Sequence, residues 1–236
     1  MIIFWRLLLA HFLTDFTLQT NFMAKWKRES AWGVLAHSSV FLLLSMIFCM
    51  FSDGFSGLTT QYLFSTWWKL PGWLCIALIF FIHFGEDYYR IWSIKEGGSS
   101  DNILFFLWDQ FIHIILIFLF SPIDTTFAIS EKWVVIAILL VLVTHFSSIL
   151  IYYVEQLMFG PEQTATRLKG KYHLMLERLI IFGCFLLPGR LWLAVIGVLL
   201  ARFIVYKPAY DFSKANVISG IILSVLIGVL SRLIIY

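Results

Sequence analysis

Long apolar runs separated by short polar segments make up almost the whole chain. A helix needs about 20 mostly apolar residues to cross a bilayer, and about eight runs approach this length. Pro-Gly, Ser-Pro and Gly-Pro pairs mark several of the connections between them. The pattern predicts an all-α fold, a polytopic transmembrane helix bundle. Its predicted spans are residues 2–20, 31–51, 72–92, 102–121, 132–154, 172–188, 190–206 and 215–235.

Composition agrees with a membrane protein. Apolar residues make up 61% of the 236 residues and charged residues 13%, whereas about 25% is typical of soluble domains. The mean hydropathy is +0.89. The net charge of +3 is small, so membrane lipid is the expected partner and nucleic acid is not. The three cysteines lack CxxC spacing and are predicted to be small buried hydrophobes. The oligomeric state stays open.

Basic residues predict the orientation, because cytoplasmic loops are enriched in Lys and Arg. If the N-terminus lies outside, twelve of the seventeen basic residues lie at the cytoplasmic side. The loops 21–30, 93–101 and 155–171 are then cytoplasmic. The twelve residues are Lys25, Lys27, Arg28, Arg90, Lys95, Arg167, Lys169, Lys171, Arg178, Arg202, Lys207 and Lys214.

Ionisable side chains recur inside the first four predicted spans. Three His–Asp pairs are spaced by four residues, which places both members of a pair on one helix face. Ionisable residues in hydrocarbon are costly, so they should face the bundle interior, have partners and mark a functional site. The set comprises His11 with Asp15, His83 with Asp87, Asp109 with His113, and His37.

An internal repeat relates these residues. His11 and His83 are 72 residues apart, as are Asp15 and Asp87. The same offset joins His37 to Asp109. The chain is therefore predicted to contain a duplicated helical hairpin, 2–51 and 72–121, with parallel repeats related by an axis along the membrane normal. The expected halves are 1–122, with spans one to four, and 123–236, with spans five to eight.

The depth of the seven residues suggests a shared site. Three histidines lie roughly 6 Å deeper than the three aspartates and His37, at about 1.5 Å per residue. Imidazole with carboxylate suits zinc, or alternatively manganese or iron, and seven ligands suit two divalent ions. Glu86 is expected to point about 100° away from Asp87. Purely structural His–Asp pairing and a proton or cation pathway are the alternatives. The predicted metal ligands are His11, Asp15, His37, His83, Asp87, Asp109 and His113.

Three motifs carry a family resemblance: HFLTDFTLQT at 11–20, HFGEDYY at 83–89 and DQFIH at 109–113. Together they resemble an uncharacterised bacterial inner-membrane family, one of the domains of unknown function, with paired HxxxD and DQxxH motifs. The resemblance covers about the first 120 residues and implies a multi-pass bacterial inner-membrane protein without an assigned activity. In residue type, the pattern is also similar to membrane-bound metal-dependent hydrolases.

The first functional hypothesis is an intramembrane metal-dependent hydrolase. Two divalent ions would polarise a phosphoryl or acyl oxygen, with Asp15 or Asp109 as general base. The depth of the site favours a lipid or lipid-linked phosphate near the cytoplasmic face. The alternatives are a divalent-cation transporter, with ligands on repeated helices near the midplane, and a structural membrane subunit stabilised by metal.

Overall fold

The computed structural model describes residues 1–122, 129–160, 164, 171–204 and 213–236. Within it the chain forms two compact units, residues 1–138 and 139–236. The predicted division after residue 122 coincides with the start of 123–128, which lie outside the described residues. It therefore stays a prediction. The basic residues Arg167, Lys169 and Lys207 and the end of the predicted span 190–206 also lie outside the described residues.

The first unit is helical apart from one two-stranded antiparallel hairpin. Its first helix continues directly into a π-helical turn, Leu13–Thr17. A 3-10 turn covers Asp53–Phe55. The elements are α1 (Ile2–Phe12), α2 (Asn21–Glu29), α3 (Ala31–Cys49), α4 (Gln61–Phe64), β1 (Thr66–Trp67), β2 (Leu70–Pro71), α5 (Gly72–Lys95), α6 (Ile103–Phe120) and α7 (Lys132–Val141).

The second unit contains further helices, and α7 runs across the boundary into it. After a π-helical turn at Leu142–Phe146, the chain forms α8 (Ser147–Phe159), α9 (Lys171–Phe185), a 3-10 turn (Leu191–Leu193), α10 (Ala194–Ile204) and α11 (Lys214–Ile235). In this unit the buried Arg178 donates to the carbonyls of Val143 and Thr144, at 3.0 and 3.2 Å. A π turn shifts the backbone ladder, so carbonyls there need such donors.

The all-α prediction is confirmed. Among the described residues, four helices are long and apolar enough to span a membrane, by length and composition: Ala31–Cys49, Ile103–Phe120, Lys132–Phe159 and Lys214–Ile235. The other four predicted spans also coincide with helices. These are either short, as are α9 and α10, or rich in charge, as is α5. The count of eight spans stays a prediction.

A short amphipathic helix, α2, replaces the loop predicted over 21–30. Thr20 caps its first turn by accepting from the Met23 amide at 3.2 Å. Ser30 ends it and caps α3 by accepting from the Gly33 amide at 3.1 Å. A Cβ on Gly33 would lie 2.3 Å from the backbone of Trp26. Glycine therefore permits the tight corner that packs α2 against α3.

A buried ion pair holds the far end of α3. Arg6 is fully buried, and its guanidinium pairs with both carboxylate oxygens of Glu131 at 2.5 and 2.8 Å. It also donates to the carbonyls of Phe48, Phe51 and Ser52 at 2.6–3.0 Å. These carbonyls lie where α3 ends and lacks intrahelical donors. Arg6, which is not among the twelve basic residues predicted at the cytoplasmic side, therefore ties three segments of the chain together.

Candidate metal centre

The structure brings all seven predicted ligands together inside the first unit. They project from α1 and its π turn, α3, α5 and α6. Every one of them is at most 7% exposed. The deeper layer consists of three imidazoles, His11, His83 and His113, whose ring centroids are 4.2–5.6 Å apart. Whether they bind metal stays a prediction.

Four atoms of the cluster form a closed ring: His37 Nε2, Asp15 Oδ1, His83 Nε2 and Asp87 Oδ2. His37 Nε2 lies 3.3 Å from Asp15 Oδ1 and 3.6 Å from Asp87 Oδ2. His83 Nε2 lies 3.9 and 3.4 Å from the same two oxygens. Zinc–ligand bonds of 2.0–2.1 Å in a tetrahedron place neighbouring ligands about 3.4 Å apart. These four distances are close to those between ligands of one metal ion. Asp15, His37 and His83 form a group whose ligand atoms all lie within 4.8 Å of one another, and Asp87 adjoins this group through the two histidines.

The same four ring atoms are buried and make no hydrogen bond of good geometry to any part of the chain that the structure describes. A buried polar atom without a partner costs about 1–3 kcal/mol, and such groups are few in native structures. Here four such atoms face one another across the ring. Nearby buried atoms without a partner among the described residues are His11 Nδ1, Glu86 Oε2, Asp109 Oδ1 and both ring nitrogens of His113.

Glu86 belongs to the cluster, although it is offset by about 100° from Asp87 around α5. Its Oε2 lies 3.3 Å from His113 Nε2. Glu86, Asp87, Asp109 and His113 each offer one potential ligand atom, and these atoms lie within 4.8 Å of one another. The reason is that α6 packs beside α5, so side chains on two different faces of α5 contact the cluster. A 100° step along one helix does not exclude a residue whose partner is on the next helix.

Gln110 connects the two layers. Its amide nitrogen donates to Asp15 Oδ2 at 3.1 Å and to Asp109 Oδ2 at 3.0 Å. Its carbonyl oxygen lies 3.2 Å from His11 Nε2. With the amide in this orientation, His11 must donate from Nε2, which leaves its Nδ1 as the lone-pair atom. Hydrogen bonds of this kind orient metal-binding imidazoles and select their tautomer.

Two basic side chains, missed in the sequence, neutralise part of the cluster. Lys27 Nζ lies 2.6 Å from Asp87 Oδ1, and an Arg90 guanidinium nitrogen lies 2.8 Å from Asp109 Oδ2. Burial lowers the pKa of Lys27, but Asp87, Asp15 and Asp109 raise it, and the net result is a pKa above its ordinary value. Lys27 is therefore a cation in this environment.

A signal for Arg90 existed in the sequence, because it lies inside a predicted span, where charge marks function. Lys27 had none, since it lay in a predicted loop and reaches Asp87 only through the corner between α2 and α3.

The π turn at Leu13–Thr17 carries Asp15. Thr14 Oγ1 donates to the Ala10 carbonyl at 2.8 Å in the same stretch. The wider turn changes the direction of Asp15 relative to His11, and their nearest side-chain atoms are 3.6 Å apart. Single π turns inside α-helices are frequent at functional sites.

These features define a class: an all-α protein with helices suited to a membrane and a buried histidine–carboxylate cluster in its first unit. A family model matches residues 3–137, a range that contains every residue of the cluster. The chain belongs to this family, described as "Protein of unknown function (DUF3307)". No curated protein and no solved structure matches the chain.

Proposed function

We propose that the cluster binds a divalent metal and that the protein is an intramembrane metal-dependent hydrolase. The observation that carries the proposal is the ring of four buried ligand atoms, from Asp15, His37, His83 and Asp87, at 3.3–3.9 Å. Two imidazoles and two carboxylates form a ligand set for zinc, or for manganese or iron. Neutral histidines have too few N–H groups to donate to every acceptor atom of the ring, whereas a bound cation can accept lone pairs from several of these atoms at once.

Charge balance bears on the number of ions. The four carboxylates of the cluster face two cations, Lys27 and Arg90, so at most two negative charges remain with neutral histidines. One divalent ion compensates them. A second ion, at Glu86, Asp109 and His113, is balanced only when both Lys27 and Arg90 withdraw. We therefore propose one tightly held ion and a second, weaker site.

A divalent ion bound there supplies Lewis-acid chemistry for hydrolysis. Asp15 and Asp109 each have one oxygen held by Gln110 and a second oxygen without a hydrogen-bond partner among the described residues. The second oxygen of Asp15 belongs to the ligand ring, so Asp15 can act as general base only when that oxygen is not bound to the ion. Asp109 Oδ1 is outside the ring and can accept the proton of an attacking water, the role of a general base. Gln110 meanwhile keeps both carboxylates oriented toward the ligand ring.

The substrate that fits a site within the bilayer is a lipid or lipid-linked phosphate. We propose that the protein is a multi-pass protein of the bacterial inner membrane with its N-terminus outside, on the basis of the Lys and Arg bias. The site then lies toward the cytoplasmic headgroups. Cysteines introduced at the exposed positions Lys25 and Lys95 should resist impermeant thiol reagents in intact cells. Labelling from outside would show that the topology is the opposite of the proposed one.

Helix boundaries support the proposed duplication. The helices α3 and α6 begin 72 residues apart, at Ala31 and Ile103. Their caps keep the same offset, because Ser30 accepts from the amide three residues on, as does Asn102. The π turn of α1 interrupts the symmetry, since the matching stretch of α5 is α-helical. The copies thus supply similar ligands in different local geometry.

A divalent-cation transporter is the second candidate, and the π turn at Asp15 favours it. Transporters place ions at irregular points in membrane helices, near the interface between repeats. Here the irregular turn carries a carboxylate of the ring. A transporter would move metal across vesicles without hydrolysing lipid phosphate, whereas the hydrolase would release phosphate without metal flux.

Elemental analysis of protein purified without chelators tests the metal proposal. We expect at least one divalent ion per chain. The double variant Asp15→Asn, Asp87→Asn should lose this ion while retaining helicity. Glu96→Gln is the control, because it removes an exposed carboxylate at the end of α5, and it should keep the ion. Metal-free wild-type protein, or full metal content in the double variant, would exclude the site. Phosphate release from lipid phosphates and metal uptake into vesicles then separate the two functions.

A further inference from the structure

A small cavity lies next to the cluster, between the corner of α2 and α3 and the last turns of α5. Its volume is about 200 Å³. Its walls include Lys27, Arg28, Val34, Trp92 and Lys95. Pockets for drug-sized ligands are typically about 300–1,000 Å³, so this cavity suits a headgroup more than an acyl chain. All of these residues belong to the first unit.

The walls of the cavity are basic. Three cations, Lys27, Arg28 and Lys95, face two acids, Glu29 and Glu96. The cavity therefore has a surplus of positive charge and suits an anion with several acceptor oxygens.

Exposed aromatic side chains lie in the cavity wall and on the helices that form it. Trp32 and Phe22 are 73% and 72% exposed, and Trp92 and Tyr88 are about half exposed. Exposed Trp and Tyr on membrane helices mark the headgroup region. An amphipathic helix with basic residues, such as α2, lies in that interface and attracts anionic lipid. The cavity is thus at the depth of lipid phosphates.

We propose that this cavity binds the phosphate monoester of an anionic lipid headgroup, and that Lys27 is shared between this phosphate and Asp87. Lys27 lines the cavity and also lies 2.6 Å from the Asp87 carboxylate. A bound phosphate draws the ammonium from Asp87 Oδ1, which leaves the carboxylate with its full negative charge for a divalent ion. The substrate role of the phosphate rests on the proposed hydrolase function, whereas its binding does not.

Calorimetric titration of the full-length protein in non-ionic detergent, pretreated with EDTA, tests the proposal. The probes are dihexanoyl phosphatidic acid, dihexanoyl phosphatidylcholine and inorganic phosphate. We expect phosphatidic acid to bind about tenfold or more tightly than phosphatidylcholine. The variant Arg28→Gln, Lys95→Gln should lose about tenfold of that affinity. Lys25→Gln is the matched control on the same helix, exposed and outside the cavity walls, and should change binding by less than about twofold.

A gain of binding gives the sharpest test. Asp87→Asn releases Lys27, so this variant should bind phosphatidic acid about tenfold more tightly than wild type. Inorganic phosphate binding as tightly as the lipid would identify the free anion as the occupant.

Equal affinity for both lipids, or equal losses in Lys25→Gln and the double variant, would overturn the proposal. Because the protein is metal-free here, failure of the metal site and failure of the cavity are distinguishable.

Discussion

Replacing Lys27 with methionine should make the protein bind zinc more tightly. In the wild type, the Lys27 ammonium lies 2.6 Å from Asp87 Oδ1 and neutralises the carboxylate whose other oxygen, Oδ2, faces the ligand ring. It therefore weakens the binding of a second cation to Asp87. Methionine keeps the length and apolar stem of lysine without its charge. The substitution therefore removes the competitor and leaves the ring of ligand atoms intact.

The size of the effect follows from the strength of the contact between Lys27 and Asp87, which a metal on the same carboxylate weakens. The Lys27 side chain is only 13% exposed, so solvent screens its contact with Asp87 weakly. A hydrogen bond to a charged group contributes about 1.5–3 kcal/mol net. At about 1.4 kcal/mol per factor of ten, Lys27→Met should lower the zinc Kd about 10- to 150-fold.

Competition against a fluorescent zinc chelator, with full-length protein in detergent, measures this Kd. Lys25→Met is the matched control, because it makes the same change on the same helix at a side chain that is 73% exposed. Its zinc Kd should stay at the wild-type value. Zinc should also raise the Tm of Lys27→Met more than that of the wild type, since ligands stabilise the state they bind.

The opposite result would refute the reasoning. If the cluster is a self-contained ion-pair network, Lys27 is an essential counter-ion of Asp87. Its removal would then leave a buried charge unpaired, at a cost of about 3–5 kcal/mol, without any gain in zinc affinity. A destabilised Lys27→Met that zinc does not rescue would therefore exclude the metal site.

Two further predictions concern the scaffold. Arg6→Met should lower the free energy of unfolding by about 3–5 kcal/mol, because Glu131 stays buried without its partner. The double variant Arg6→Met, Glu131→Gln should recover much of this loss. Equal losses in the single and the double variant would contradict the prediction. Gly33→Ala should lower the free energy of unfolding by about 1–3 kcal/mol, because the alanine Cβ would lie 2.3 Å from the Trp26 backbone. Gly85→Ala, whose Cβ meets no atom of the described residues within 4 Å, should be neutral or stabilising in the same thermal unfolding assay.

The grouping of the seven His and Asp side chains was predictable from sequence. The spacing of four in each pair places both members on one helix face, whatever the helix packs against. To infer from the 72-residue offset and the matched depths that these residues meet, one needs to assume only that consecutive spans are antiparallel. These are local and periodic properties, so His11, His83 and His113 could be expected in one layer.

Other members of the site depend on contacts between elements. Glu86 reaches His113 because α6 packs beside α5 at that height. Gln110 could be weighed as a neighbour of Asp109, but its bridge to Asp15 and His11 depends on the approach of α1 and α6. Neither spacing along one helix nor hydropathy encodes which neighbouring helix a side chain meets.

The charge balance of the cluster was decided by tertiary structure alone. Sequence reasoning predicted that the imidazoles and carboxylates bind divalent ions, and it assigned no lysine or arginine to them. The corner at Ser30 and Gly33 turns α2 back against α3 and delivers Lys27 to Asp87, 60 residues away. Helical periodicity determined which faces carry the ligands, because it acts within a few residues. Packing determined which internal cations share those ligands, because close approach of distant segments depends on the shape of the whole unit.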